Sequence, residues 1–299
     1  MQLLNRAVLY NLMIHILQNN YSIFLIEIGI LGLLVGSFLN VVIYRLPIML
    51  QREWEQDCSE YLKQTAPIKY KAFNLIIPRS HCPKCSIQIS WWQNIPVISY
   101  ILLQGKCSHC QTIIHWRYPV VELLSCLATL LVALYFGISI QTLSLLILTW
   151  ALITAVFIDL DHLLLPDNIT LPLIWLGLLL NINHTFATPE NAIIGAASAY
   201  LCLWSIAYIF KLIRKIEGMG YGDFKLLAVF GAWLGWQTLP LILFVAALIG
   251  AIVGLILILG KKNQLTKPIP FGPYLAIAGW LAFFWGQNVL DWYLHMFYL

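Results

Sequence analysis

The chain has 299 residues, 61% of them hydrophobic and only 10% charged, with a mean hydropathy of +0.81 and a formal net charge of +4. An average globular domain carries about 45–50% apolar and about 25% charged residues, so this composition marks an integral membrane protein. Disordered, collagen-like and disulfide-rich secreted classes are excluded by the same balance, and the small net charge makes no case for nucleic acid.

A helix that crosses a bilayer needs about 20 mainly apolar residues. Residues 1–21 hold one early cation, Arg6, and an apolar run broken by His15, Asn19 and Asn20, with no small-residue cleavage site. They do not read as a cleaved signal peptide. Apolar windows then predict spans at 24–44, 119–136, 140–159, 169–182, 192–210, 224–236, 239–259 and 274–290. The expected fold is an all-α polytopic membrane protein of about eight transmembrane helices, with a small cytoplasmic insertion between the first and second. The fourth and sixth windows are short, which suits helices that start in a solvated cavity or are tilted and shielded by neighbours.

All of the 17 Lys and Arg residues except Arg6 fall into three clusters. Residues 45–118 hold Arg45, Arg52, Lys63, Lys69, Lys71, Arg79, Lys84, Lys106 and Arg117. Lys211, Arg214, Lys215 and Lys225 precede or open the sixth span, and Lys261, Lys262 and Lys267 follow the seventh. Alternating spans put all three clusters on one side, which the positive-inside rule makes cytoplasmic. Asp159, the connection 161–168 and residues 218–223 fall on that side as well.

Within the long polar segment, Cys82-Pro-Lys-Cys85 and Cys107-Ser-His-Cys110 form two CxxC knuckles. Paired knuckles hold four thiolates in the tetrahedron that Zn²⁺ prefers. A disulfide framework fits poorly with a reducing cytoplasm, and a redox pair needs only one knuckle. Cys82, Cys85, Cys107 and Cys110 are therefore the expected zinc ligands, with His81, His109 and His115 as solvated neighbours. Cys126 and Cys202 read as packing residues and Cys58 as a free loop thiol.

Ionisable groups inside spans are costly and are functional candidates. Glu27, Glu122, Asp159 and Asp223 qualify. Asp159 opens a run that ends in Pro166-Asp167, and Asp223 closes Gly218-Met-Gly220-Tyr-Gly222-Asp223-Phe-Lys225. Three glycines in that stretch allow a close backbone approach or a positive φ. Two carboxylates on one face can share a proton and activate water, one as base and the other as acid. The alternatives are helix caps, partners of Lys225 and His162, or an ion-coupled membrane transporter using Asp159 and Asp223. Asp161 and Asp167 read as loop or N-cap acids, while Glu27 and Glu122 could pair with polar groups inside the bundle.

Taken in chain order, Gly36-Ser-Phe-Leu-Asn-Val-Val-Ile-Tyr-Arg-Leu-Pro47, the two knuckles, Arg117-Tyr-Pro-Val-Val-Glu122, the run from Asp159 to Asp167 and the run from Gly218 to Leu226 resemble the type IV prepilin peptidases. These are bifunctional GxGD-type aspartic proteases of bacterial inner membranes. The resemblance implies that Asp159 and Asp223 are the catalytic pair, with Gly220, Gly222 and Lys225 in support. Its pattern places the first aspartate seven residues before the proline, which Asp159 satisfies and Asp161 does not. It further implies cleavage of a basic leader from type IV prepilins and type II secretion pseudopilins at the cytoplasmic side, then N-methylation from S-adenosylmethionine. Gly105-Lys106 matches the family pattern linked to methyl transfer, although the insertion has no Gly-rich nucleotide fingerprint. The implied organisation is an N-terminal segment and first span (1–44), the zinc-binding insertion (45–118) and a transmembrane aspartic protease domain (119–299), in contact with membrane lipid.

Overall fold

The computed structural model describes residues 21–62, 70–216, 218–260 and 269–298. The N-terminal stretch 1–20 and Lys63, Lys69, Lys261, Lys262 and Lys267 lie outside them. The described chain is helical: α1 (Tyr21–Tyr61), the short α2 (Ile98–Leu102), α3 (Arg117–Phe136), α4 (Ile140–His162), α5 (Asp167–Asn181), α6 (Pro189–Arg214), α7 (Tyr221–Leu234), α8 (Leu239–Gly260) and α9 (Gly272–Tyr298). Eight of these fall where the eight spans are expected, and no strand occurs among the described residues.

Among the described residues, five helical stretches are long and apolar enough to cross a membrane: α1, α3, α4, α6 and Trp236–Leu259, which contains most of α8. The 14 residues of α7 rise about 21 Å, short of a hydrocarbon core of about 30 Å. Burial explains why so short a helix persists. Every residue from Leu226 to Leu234 is buried, as a helix apolar on all sides requires.

One boundary differs from the sequence reading. The first span was expected to end at 44, yet α1 continues through Pro47 to Tyr61. Residues 48–61 contain neither Gly nor a second Pro and are mostly good helix formers, so the helix survives the loss of one backbone donor. Arg45, buried in this helix, donates to the carbonyls of Asn74 at 2.8 Å and Pro78 at 2.6 Å. Its guanidinium lies 5.6 Å from the centre of the Phe73 ring. The insertion is therefore folded back onto the helix that leads into it.

The chain divides into two compact units, one ending at Thr154 and one beginning at Ala155. In the first, α1 and α3 approach backbone to backbone. A methyl group on Gly32 would stand 2.9 Å from Cys126 Cα, and one on Gly36 2.8 Å from Glu122 Cα. Small residues at such an interface replace the hydrophobic drive that lipid removes. In the second unit, Gly195 of α6 meets Gly231 of α7 in the same manner. Asn181, fully buried at the end of α5, donates to the carbonyls of Ala232 at 2.8 Å and Trp233 at 2.9 Å and accepts the Phe186 and Ala187 N–H groups at 3.0 Å. One side chain thus satisfies two of the carbonyls that the end of α7 leaves free.

Candidate active site and metal centre

Asp159 lies in the last turn of α4. That helix closes when Leu163 takes a left-handed φ of 53°, its N–H bonded to the Asp159 carbonyl at 2.9 Å. The chain then extends to Pro166, whose fixed φ of −65° caps α5. Asp223 lies in the first turn of α7, its N–H bonded to the Gly220 carbonyl at 3.2 Å. Both aspartates are buried, at 5% and 8% exposure, and the charge of Asp159 acts on Asp223. The structure thus brings together two residues 64 positions apart (223 − 159) in one apolar setting.

Neighbouring acids and bases are sorted differently. Lys225 Nζ pairs with Asp167 at 2.6 Å, not with either buried aspartate. Asp161 and His162 are exposed at the end of α4. Asp167, read from the sequence as a loop or N-cap acid, is instead the first residue of α5, whose N-cap is Pro166.

Of the two reasons offered for the glycines before Asp223, close approach holds for Gly218 and Gly222 but not for Gly220, and positive φ for none. None of Gly218, Gly220 and Gly222 has a positive φ. A methyl on Gly222 would stand 2.6 Å from Leu165 Cβ and one on Gly218 2.7 Å from the Phe210 ring, whereas the nearest atoms to one on Gly220 are 4.0 Å away. The sequence reading missed Gly272, the first residue of α9, whose N–H and α-carbon face the Asp159 carboxylate. Its signal was the run Pro268-Ile-Pro-Phe-Gly272-Pro273, a helix start with Pro at the first position.

The Sγ atoms of Cys82, Cys85, Cys107 and Cys110 all lie within 4.8 Å of one another, and those of Cys82 and Cys110 are 3.7 Å apart. A tetrahedron with metal–sulfur bonds of about 2.3 Å has edges of about 3.8 Å, so the four thiols fit one metal ion. Each knuckle is the same tight turn. The Ser86 N–H bonds the Cys82 carbonyl at 2.9 Å and the Gln111 N–H the Cys107 carbonyl at 3.1 Å, with φ of 58° at Ser86 and 57° at Gln111. The Thr112 hydroxyl and backbone N–H pull the Cys110 thiol down to about 6, and the Cys85 and Lys84 N–H groups hold Cys82 below the usual thiol range, whereas Cys85, against the pull of the Ile87 backbone, is pushed up to about 11 by burial and the neighbouring thiols. The thiolate is the form that binds metal. No disulfide occurs among the described residues, and His81, His109 and His115 are exposed outside the cluster. Cys58 and Cys202 are exposed and Cys126 half-buried, so the packing reading does not suit Cys202.

Gly105 has a structural reason to be glycine: φ is +66°, and a methyl would stand 3.0 Å from the Tyr100 ring. Its N–H bonds the Tyr100 carbonyl at 2.8 Å, closing the turn after α2 and aligning the second knuckle. Lys106 is exposed. Glu122 is buried and accepts the Val97 N–H at 2.8 Å, a partner on the insertion that the sequence did not name. Val97 carries a φ of 59°, unusual for a β-branched residue. Glu27 is exposed on α1, and no internal partner for it occurs among the described residues.

Comparison with known proteins places this architecture. The profile of the Bacterial Peptidase A24 N-terminal domain matches residues 30–136 and that of the Type IV leader peptidase family residues 146–255. The chain is 50% identical to the prepilin leader peptidase/N-methyltransferase of Stutzerimonas stutzeri over 281 residues, 94% of this chain and 97% of the relative. It is 51% identical to the protein of that name from Aeromonas hydrophila over 267 residues, 89% of this chain and 92% of the relative. Identity to the Pseudomonas aeruginosa protein of that name is 50% over 265 residues, 89% and 91% of the two chains. No solved structure matches the chain. With both profiles in register and half of all residues shared across nearly the whole length, the chain belongs to the type IV leader peptidase family.

Proposed function

We propose that this protein cleaves the leader peptide from type IV prepilins and type II secretion pseudopilins and N-methylates the new N-terminus. The observation that carries the reading is the buried pair of Asp159 and Asp223, charge-coupled and unclaimed by Lys225. Such a pair can hydrolyse a peptide bond. One carboxylate takes a proton from water as its oxygen attacks the scissile carbonyl, while the other, protonated, donates to the carbonyl oxygen. The bond to nitrogen then breaks as a proton passes to the departing amine. The comparisons give the ion-coupled transporter no support.

The positive-inside pattern supports an inner-membrane location with the aspartates at the cytoplasmic face, where a basic leader is retained next to the substrate's apolar helix. Lipid contacts the outward faces of the long helices. The proposed organisation is the segment and span 1–44, the insertion 45–118 and the protease domain 119–299. Zn²⁺, held by Cys82, Cys85, Cys107 and Cys110, acts as a structural clamp that fixes the insertion. S-adenosylmethionine, when bound, supplies the methyl group, and Lys106 is the insertion residue we connect with that transfer.

Two predictions follow from the geometry around these sites. Gly222→Ala must displace Leu165 or the first turn of α7, so it lowers the cleavage rate by about tenfold or more. Gly220→Ala has open space and gives the smaller loss, as steady-state kinetics on one prepilin would show. Separately, Lys106→Ala impairs methylation of a pre-cleaved pilin more than cleavage of the full-length prepilin, since separate sites fail separately. Equal loss of both reactions in folded protein contradicts the assignment of Lys106. The reading as a whole is tested by incubating purified protein with one full-length prepilin and looking for the shortened chain.

A further inference from the structure

We propose that Gly272, at the start of α9, is a positioning residue for Asp159 and completes the active site as its third element. The inference rests on the reading of Asp159 as catalytic. Three features of the structure carry it.

The first is donor inventory. A helix start presents free N–H groups, but at α9 most are spent or missing. Pro273 has none, and the Tyr274 and Leu275 N–H groups both go to the Phe271 carbonyl, at 3.1 and 3.2 Å. The Gly272 N–H acts on the Asp159 carboxylate electrostatically, with no hydrogen bond of ordinary geometry between them.

The second feature is the carboxylate itself. Asp159 is 5% exposed, and its Oδ2 is the buried side-chain oxygen that no donor satisfies among the described residues. A buried acceptor left open is costly unless something else uses it. With no hydrogen bond to hold it, the place of Oδ2 is set by the atoms packed against it.

The third is space. A Cβ on Gly272 would collide with Asp159 Oδ2, its nearest neighbour, before it reached Leu165 Cδ1 at 3.0 Å. Any side chain here therefore pushes the open oxygen away from its place. The glycine is required by what stands opposite its α-carbon, since its φ is not positive. Gly272 thus acts through its bare α-carbon, which leaves Oδ2, and with it the Asp159 carboxylate, in the place the dyad needs.

Gly272→Ala is the direct test, with Gly254→Ala as reference because a methyl there meets nothing closer than 3.9 Å. Misplacement of a reacting group by about 1 Å costs on the order of 100-fold. The expected result for Gly272→Ala is a loss of kcat of that order, with KM within about twofold and a pH–rate profile whose limbs are displaced. A purely structural defect would lower the amplitude and leave the limbs in place. Combining Gly272→Ala with Leu165→Ala separates the two contacts, because relief at Leu165 does not relieve Asp159. Recovery of activity in the double variant, unmoved limbs, or wild-type kcat in Gly272→Ala would each overturn the proposal. None of these would touch the dyad, which fails only if Asp159→Asn still cleaves.

Discussion

Asp159→Asn and Asp223→Asn are each expected to lower prepilin cleavage by about 10⁴-fold or more while the protein stays folded in the membrane fraction. General acid–base catalysis contributes 10²–10⁴ through each positioned group. Members of one catalytic unit fail together, so either single change removes nearly all of the rate and the double change little more. Asn preserves size and apolar packing, and both positions are already buried, so the loss is chemical. Asp161→Asn is the contrast. Its side chain is exposed at the end of α4, two residues from the pair, and most of the activity is expected to survive. Cleavage rates on one prepilin substrate check all four variants.

Loss of the metal is expected to have the second-largest effect. Four thiols drawn within 4.8 Å in a segment of few buried apolar residues make a site whose binding energy is largely folding energy. Structural zinc contributes about 10–16 kcal/mol of apparent binding free energy in small metal-clamped domains. Purified protein is expected to contain about one equivalent of zinc. Cys82→Ser with Cys110→Ser should abolish it and leave 70–118 open to limited proteolysis. Methylation should fall with it, since the insertion carries Lys106. Full metal content in that double variant would mean the ligands lie elsewhere, and a disulfide between these cysteines in cells would overturn the cytoplasmic placement.

Much of this arrangement was legible in the sequence because the lipid environment forces it. Spans must be apolar, knuckles must repeat, and a carboxylate inside a span needs a reason, so Asp159 and Asp223 stood out together with Glu27 and Glu122, and the family resemblance then singled out the pair of aspartates. What the sequence could not give was three-dimensional contact. The first apolar window ended at 44, yet the run of helix formers beyond Pro47 carries α1 to Tyr61. The glycines before Asp223 allowed two explanations, and the backbone angles with the positions of Leu165 and Phe210 decide between them for Gly222 and Gly218. Gly105 matched a pattern linked to methyl transfer, while its geometry gives it a local folding task under Tyr100. Glu122 had no partner in sequence because Val97 reaches it from 25 residues away through a strained turn. Gly272 lies 113 residues from Asp159 (272 − 159), and a glycine between prolines reads only as a helix start until its neighbour is known.

The most direct measurement of the central claim is the intact mass of one full-length prepilin after incubation with purified protein and S-adenosylmethionine, run in parallel for the wild type and Asp223→Asn. The wild type is predicted to yield a pilin shortened by its leader and heavier by one methyl group than the bare mature chain. Asp223→Asn is predicted to return the prepilin at its starting mass, yet to add the methyl group to a pre-cleaved pilin. A shortened product from Asp223→Asn, in protein free of other peptidases, would contradict the assignment of the dyad.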